Sequence, residues 1–195
     1  GFGAGPTMFH DTKVGEIWGS HLNRLPGLHA WRAYENVKSL IDRGLDPLNV
    51  LIERAHDKGL DFFADLRLAS YGGMDGAYKV SEGGGGFANR EVRDHQFAVL
   101  EELASEYPTD GLELDFAFPG GSHNIRQEDA REMIPVLTDY VEQIAEMVQS
   151  KRGEACPLGV RVLPTEALNL AEGLDVRTWL EQGLIDFVIP SQYLY

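Results

Sequence analysis

The chain has 195 residues, 43% of them apolar and 10% aromatic, and a formal net charge of −14 at pH 7. Such a length suits a single domain, and such an apolar share suits an ordinary buried core. The carboxylate excess opposes nucleic acid and anionic membranes as partners; no apolar run reaches the length of a membrane span, and a lone Cys156 excludes an intrachain disulfide or a cysteine metal cluster.

Residues 1–30 read as irregular, with the first 15 supplying at most the tail of a strand. Residues 31–43 carry apolar positions at helical spacing and stop at Gly44. In DPLNVLIERAHDKG, Asp46 reads as an N-cap, Pro47 as the first helical residue and Gly59 as the stop. LDFFADLRLAS reads as a strand, and 71–90 as a long loop holding four consecutive glycines. A helix is expected over 91–107, a strand over GLELDFAF, a loop over 120–128 and a long amphipathic helix over 129–150. LGVRVLP then reads as a strand, LDVRTWLEQG as a short helix and IDFVIPSQYLY as a last strand.

Strands alternating with helices of this length imply parallel crossover units, in either an open doubly wound sheet or a barrel. The glycine run is not the dinucleotide pattern G-x-G-x-x-G and lies well inside a loop. Polar residues instead sit at the carboxyl ends of several strands: Asp65 and Arg67, Glu113 and Asp115, Arg161, and Gln192. Barrel active sites are assembled that way. The expectation is an α/β protein, a (β/α)8 TIM barrel of which residues 1–195 hold part, as one domain.

Alternation along a strand sends every second side chain to one face. Phe63, Asp65 and Arg67 therefore share a face, as do Glu113, Asp115 and Ala117, and Arg161 points the same way between Val160 and Val162. One reading is an internal ion network, which gains little net stability once desolvation is counted. The other is acid–base chemistry. Neighbouring carboxylates push their pKa values apart, so that one donates a proton while the other stays charged, and glycosidic cleavage needs such a pair. Glu113, Asp115 and Asp65 are the candidate catalytic carboxylates, with Glu113 the first choice of proton donor because of its reach; Arg67 and Arg161 would bind or orient substrate.

DGLELDFAFPG resembles the strand-four signature of family 18 glycoside hydrolases, D-G-x-D-x-D-x-E, with Asp110, Glu113 and Asp115 on its acidic positions. Ala117 occupies the place of that family's catalytic acid, so its chemistry does not carry over. The stretches FHDTKVGEIWG, AHDKGLDFFADLRLAS, DGLELDFAFP and LGVRVLPT more closely resemble bacterial family-10-like glycosyl hydrolases, over nearly the whole chain. That resemblance implies a TIM barrel of glycoside hydrolase type, and says less about the reaction.

His10 and His123 lie in loops expected to rise over the barrel mouth and are candidate substrate contacts, together with Tyr71, Gln192 and Tyr193. Trp18, Phe87, Phe118 and Tyr195 join the aromatics expected there, where flat rings would stack on sugars. Trp31 and Trp179 read as packing between helix and sheet, His56 as a helix-surface residue, and His95 as structural. No zinc spacing appears and no cofactor is expected, although Glu113 and Asp115 suit a hard cation. Two functions follow. One is an enzyme cleaving an oligosaccharide or polysaccharide by carboxylate acid–base hydrolysis; the other is an inactive barrel that binds carbohydrate.

Overall fold

The computed structural model of the chain describes residues 3–4, 7–20, 22–25, 27–68, 86–117, 125–126 and 128–191. Strands β1 (Gly3–Ala4), β2 (Thr7–Met8) and β3 (Glu16–Ile17) come first, followed by helices α1 (Leu28–Asp42) and α2 (Pro47–His56). Then β4 (Phe63–Arg67), α3 (Arg90–Glu106), β5 (Gly111–Asp115), α4 (Ala130–Arg152) and β6 (Leu158–Val162) alternate, and α5 (Glu166–Ala171), α6 (Val176–Glu181) and β7 (Phe187–Pro190) complete the order. Sheet order is β3-β2-β1-β4-β5-β6-β7. β1, β4, β5, β6 and β7 run parallel; β2 turns back antiparallel on β1 and carries β3 parallel to itself. The protein is thus a mixed α/β fold, and among the described residues its sheet is open, with β3 and β7 at the edges.

Local chemistry accounts for the helices. The Asp46 carboxylate accepts from the N–H groups of Leu48 (2.7 Å) and Asn49 (3.3 Å) ahead of Pro47, and Gly59 leaves the α2 end at φ 68°. A carboxylate at that position satisfies donors the helix cannot, and proline lacks one to satisfy. In α4, Leu137, Tyr140, Val141, Ile144, Met147 and Val148 form one buried stripe at helical spacing. Helix α5 falls where no helix was expected. Six residues are too few to display a period, and Leu168 and Leu170 point to solvent.

Packing is one-sided. Ala64, Leu66, Leu112, Leu114, Phe116, Leu158, Val160 and Val162 face a single core built with Ile52 of α2, Leu100 of α3, Val141 of α4 and Trp179 of α6. Trp179 is enclosed as expected, its indole N–H donating to Thr138 (3.0 Å). Two corrections concern aromatics. Phe87 is fully buried and packs on Phe116 and Tyr140, so it is core rather than a mouth residue. Trp31 is half exposed on α1 instead of wedged between helix and sheet.

Two aspartates pin the amino ends of neighbouring strands in the same way. Asp110 N–H donates to the Phe62 carbonyl (2.8 Å) while its carboxylate accepts from Phe62 N–H (2.6 Å). Asp186 repeats both bonds with Leu158, at 2.8 and 2.7 Å. Asp110, one of the acidic positions of the signature, therefore sits at the opposite end of β5 from Asp115, where His56 also reaches it (2.8 Å).

Candidate functional site

Register decides what the other face of the sheet presents. Asp65 lies beside Glu113 and Arg67 beside Asp115, while Asp115 in turn lies beside Arg161. Since alternate residues share a face, the three strands set Asp65, Arg67, Glu113, Asp115 and Arg161 side by side on the face away from the core. They occupy the carboxyl halves of β4, β5 and β6. Below them lies a glycine floor. A Cβ on Gly111 would stand 2.2 Å from the Phe63 ring, and one on Gly159 would stand 2.1 Å from the Phe187 ring. The two rings reach across the middle strands and meet edge to face, 5.6 Å between centroids.

Ion pairing within the cluster is asymmetric. Arg161 Nη2 lies 2.6 Å from Glu113 Oε1, and its Nη1 donates to Ser191 Oγ at 3.1 Å. Arg67 Nε stands 3.6 Å from Asp115 Oδ2, beyond hydrogen-bond reach. Asp115 Oδ1 accepts from the Ala117 N–H at 3.0 Å. The carboxylates are deep, 8% of the Glu113 side chain and 2% of the Asp115 side chain being exposed, whereas Arg67 keeps 38% and Arg161 27%.

Burial is the main force on both carboxyls. It raises Glu113 above the usual carboxylate range, the Asp65 charge adds to that rise, and Arg161 opposes it. Burial and then Asp65 push Asp115 up to about 7, against Arg161, the Ala117 N–H and Arg67. The sequence favoured Glu113 as proton donor, its carboxylate neighbour staying charged. The structure gives the close arginine to Glu113 and the pKa near neutrality to Asp115. Side-chain length misled here: the longer Glu113 reaches Arg161 and gains a counter-charge, while the shorter Asp115 stays enclosed with a looser one.

His10 is not brought to this face. It is buried against α3, its Nε2 3.2 Å from Glu102 Oε2 and its ring edge-on to Tyr107 at 5.2 Å. Glu102 also accepts from the Thr12 hydroxyl (2.7 Å) and the Lys13 N–H (2.5 Å), which fastens residues 10–13 to the helix. Glu102 escaped sequence reasoning because a helical glutamate reads as solvent-facing. The available signal was its position within the buried stripe of Val99, Leu100 and Leu103. Ser191 was missed as well; a lone serine after a strand carries no signal of its own. Tyr71, His123, Gln192 and Tyr193 lie outside the described residues, as do Phe118, Tyr195 and the first three glycines, 83–85, of the run in the 71–90 loop. His95 is half-buried on α3, and loss of solvent holds its pKa below the ordinary histidine value, with Glu16 opposing. Trp18 stacks on Phe9 at 5.5 Å.

Among the described residues no group of three or more His, Cys, Asp or Glu is placed to hold a metal ion, and no helix is long and apolar enough to cross a membrane. An apolar cavity of about 350 Å³ lies between β6, β7, α5 and α6, on the core side of the sheet, lined by Val162, Val176, Leu180 and Val188, and is separate from the charged face. Neither the family models nor the curated proteins compared with this chain give a match.

Proposed function

We propose that the protein is a TIM-barrel glycoside hydrolase of the family-10-like kind, acting on a polysaccharide, with Asp115 as proton donor. Two features support the barrel over a doubly wound sheet. All the helices that contribute to the core lie with one face of the sheet, whereas a doubly wound sheet needs cover on both. Charged side chains gather on the opposite face at the carboxyl ends of three adjacent parallel strands, where barrel enzymes assemble their sites. The motif resemblances of the sequence point the same way.

The observation that carries the reading is a buried carboxyl poised near neutrality beside a second one paired with an arginine. Asp115, at about 7, keeps a proton through mildly acidic conditions and can give it to a glycosidic oxygen. Glu113, paired with Arg161 at 2.6 Å, is the partner carboxyl: with its proton released it would answer the positive character that builds on the sugar ring, or activate a water. Asp65 raises both neighbours. Arg67, the more exposed of the two arginines, would meet substrate. A neutral or mildly charged glycan suits a face on which two arginines answer three carboxylates.

The second reading, carbohydrate binding without cleavage, draws on Ala117. A buried methyl stands where the resembled signature has its acid, and its N–H is spent on Asp115. A hydrolysis assay over a panel of neutral and acidic glycans separates the two. With a cleaved glycan in hand, Asp115→Asn should lower turnover by about 10²–10⁴-fold, the usual worth of a general acid, with less effect on binding. Equal turnover would remove Asp115 from the role. Glycans bound across the panel but never cut would establish the binding reading.

A further inference from the structure

Parallel register sets Asp115 between two arginines, Arg67 of β4 and Arg161 of β6, and sets Glu113 between Asp65 and Gly159. Backbone placement alone would give Arg161 to Asp115. The guanidinium instead turns back along the sheet, its Nη2 2.6 Å from Glu113 Oε1. Its other arm, Nη1, donates to Ser191 Oγ at 3.1 Å. Ser191 follows β7, and its N–H donates to the Val162 carbonyl (2.9 Å), which extends the pairing of β7 with β6. By alternation Phe187, Ile189 and Ser191 share the charged face, with Ile189 in register with Arg161. Phe187 leans over Gly159, and Ser191 meets the guanidinium from the carboxyl end. Strand pairing uses only the backbone of Ser191; among the described residues its hydroxyl bonds to Arg161 alone.

We propose that Ser191 is a positioning residue of this face: by holding one arm of the Arg161 guanidinium, it aims the other at Glu113 and keeps that contact from Asp115. A guanidinium is a rigid planar fork, so fixing one arm fixes the direction of the other. Both carboxyls feel the Arg161 charge, and Arg67 Nε stands 3.6 Å from Asp115, beyond hydrogen-bond reach. The carboxyl that holds the Arg161 contact is therefore the one helped to release its proton. Asp65, facing both from β4, raises both and does not choose between them. The roles of acid and partner rest on the hydrolase reading; the steering of the arginine does not require cleavage.

The test is a carbon-13 NMR titration of the Glu113 and Asp115 carboxyls in the wild type, Ser191→Ala and Ser191→Thr. Removing the hydroxyl frees the guanidinium to reach its register neighbour. In Ser191→Ala the Asp115 midpoint should fall by about 0.5–1 unit and the Glu113 midpoint should rise, an opposite charge at close range being worth about 1–3 units. Ser191→Thr keeps a hydroxyl and should titrate like the wild type. A merely structural serine would, on removal, lower thermal stability without moving the two midpoints in opposite directions. On a cleaved glycan, the alkaline limb of kcat/KM should move to lower pH in Ser191→Ala, because the donor loses its proton sooner. The proposal falls if Ser191→Ala leaves both midpoints in place or moves them the same way, or if Ser191→Thr departs from the wild type as Ser191→Ala does. A panel of glycans left uncut would remove the hydrolase reading, and opposed shifts in Ser191→Ala would still establish the steering.

Discussion

Gly111 and Gly159 show how single residues shape the charged face. Each leaves the gap into which a phenylalanine from a neighbouring strand leans, and a methyl group at Gly111 would also stand 2.9 Å from the Pro157 carbonyl. Gly111→Ala should therefore destabilise the protein by about 1–3 kcal/mol through overpacking, as read from urea denaturation, and Phe63→Leu in the same chain should restore part of the loss. A cost below about 0.5 kcal/mol would show that the Phe63 ring does not occupy that gap. At this scale the sequence was informative about direction and poor about rank. Alternation alone placed Asp65, Arg67, Glu113 and Asp115 on one face, because a strand has only two. It could not show that Arg161, which lies in register with Asp115, turns its guanidinium to Glu113. That choice depends on side-chain reach across strands, which no linear pattern encodes.

Elements were legible where they were long and capped. Asp46, Pro47 and Gly59 bracket α2 as their chemistry demands, and the stripes of α3 and α4 exceed three turns. The short pieces were not. β1, β2 and β3 are two residues each, too short to display an alternation, and β1 depends on a partner distant in sequence, Gly3 pairing with Leu66. Residues 10–13 are held less by strand pairing than by Glu102, which collects His10, Thr12 and the Lys13 N–H. Glu102→Ala would leave the buried His10 ring without its Nε2 partner and release the Thr12 hydroxyl and the Lys13 N–H. The expected cost is about 3 kcal/mol in denaturation, with faster amide exchange at residues 10–13 than in α3. Uniform exchange across both segments would mean that this arm is anchored elsewhere. Asp46 couples the same region to α2, since its carboxylate also accepts from the Tyr107 hydroxyl (2.8 Å) and the Asp11 N–H (3.1 Å). Asp46→Ala should accordingly cost more than the roughly 1 kcal/mol of an ordinary N-cap.

For the molecule as a whole, the buried carboxyls tie stability to pH in an unusual direction. An unfolded Asp115 would titrate near ~3.9, and the folded one titrates at about 7. Between those values the folded state holds a proton that the unfolded state has released. The stabilising contribution is complete below the lower value and is lost as pH rises through the higher one. Its size is on the order of 4 kcal/mol, and Glu113, also raised, acts in the same sense. Denaturation midpoints from pH 4 to 8 should fall more steeply for the wild type than for Asp115→Asn. Parallel curves would mean that Asp115 titrates alike in both states.

The account turns on one proton. Carbon-13 NMR of the Asp115 carboxyl, followed across pH in the wild type and in Asp65→Asn, measures it directly. Burial and the neighbouring Asp65 are the named causes of the rise, so the wild-type midpoint should lie near 7, and neutralising Asp65 should lower it. A wild-type midpoint in the ordinary range of about 3–5, unmoved by Asp65→Asn, would contradict the proposal that this face holds a proton donor.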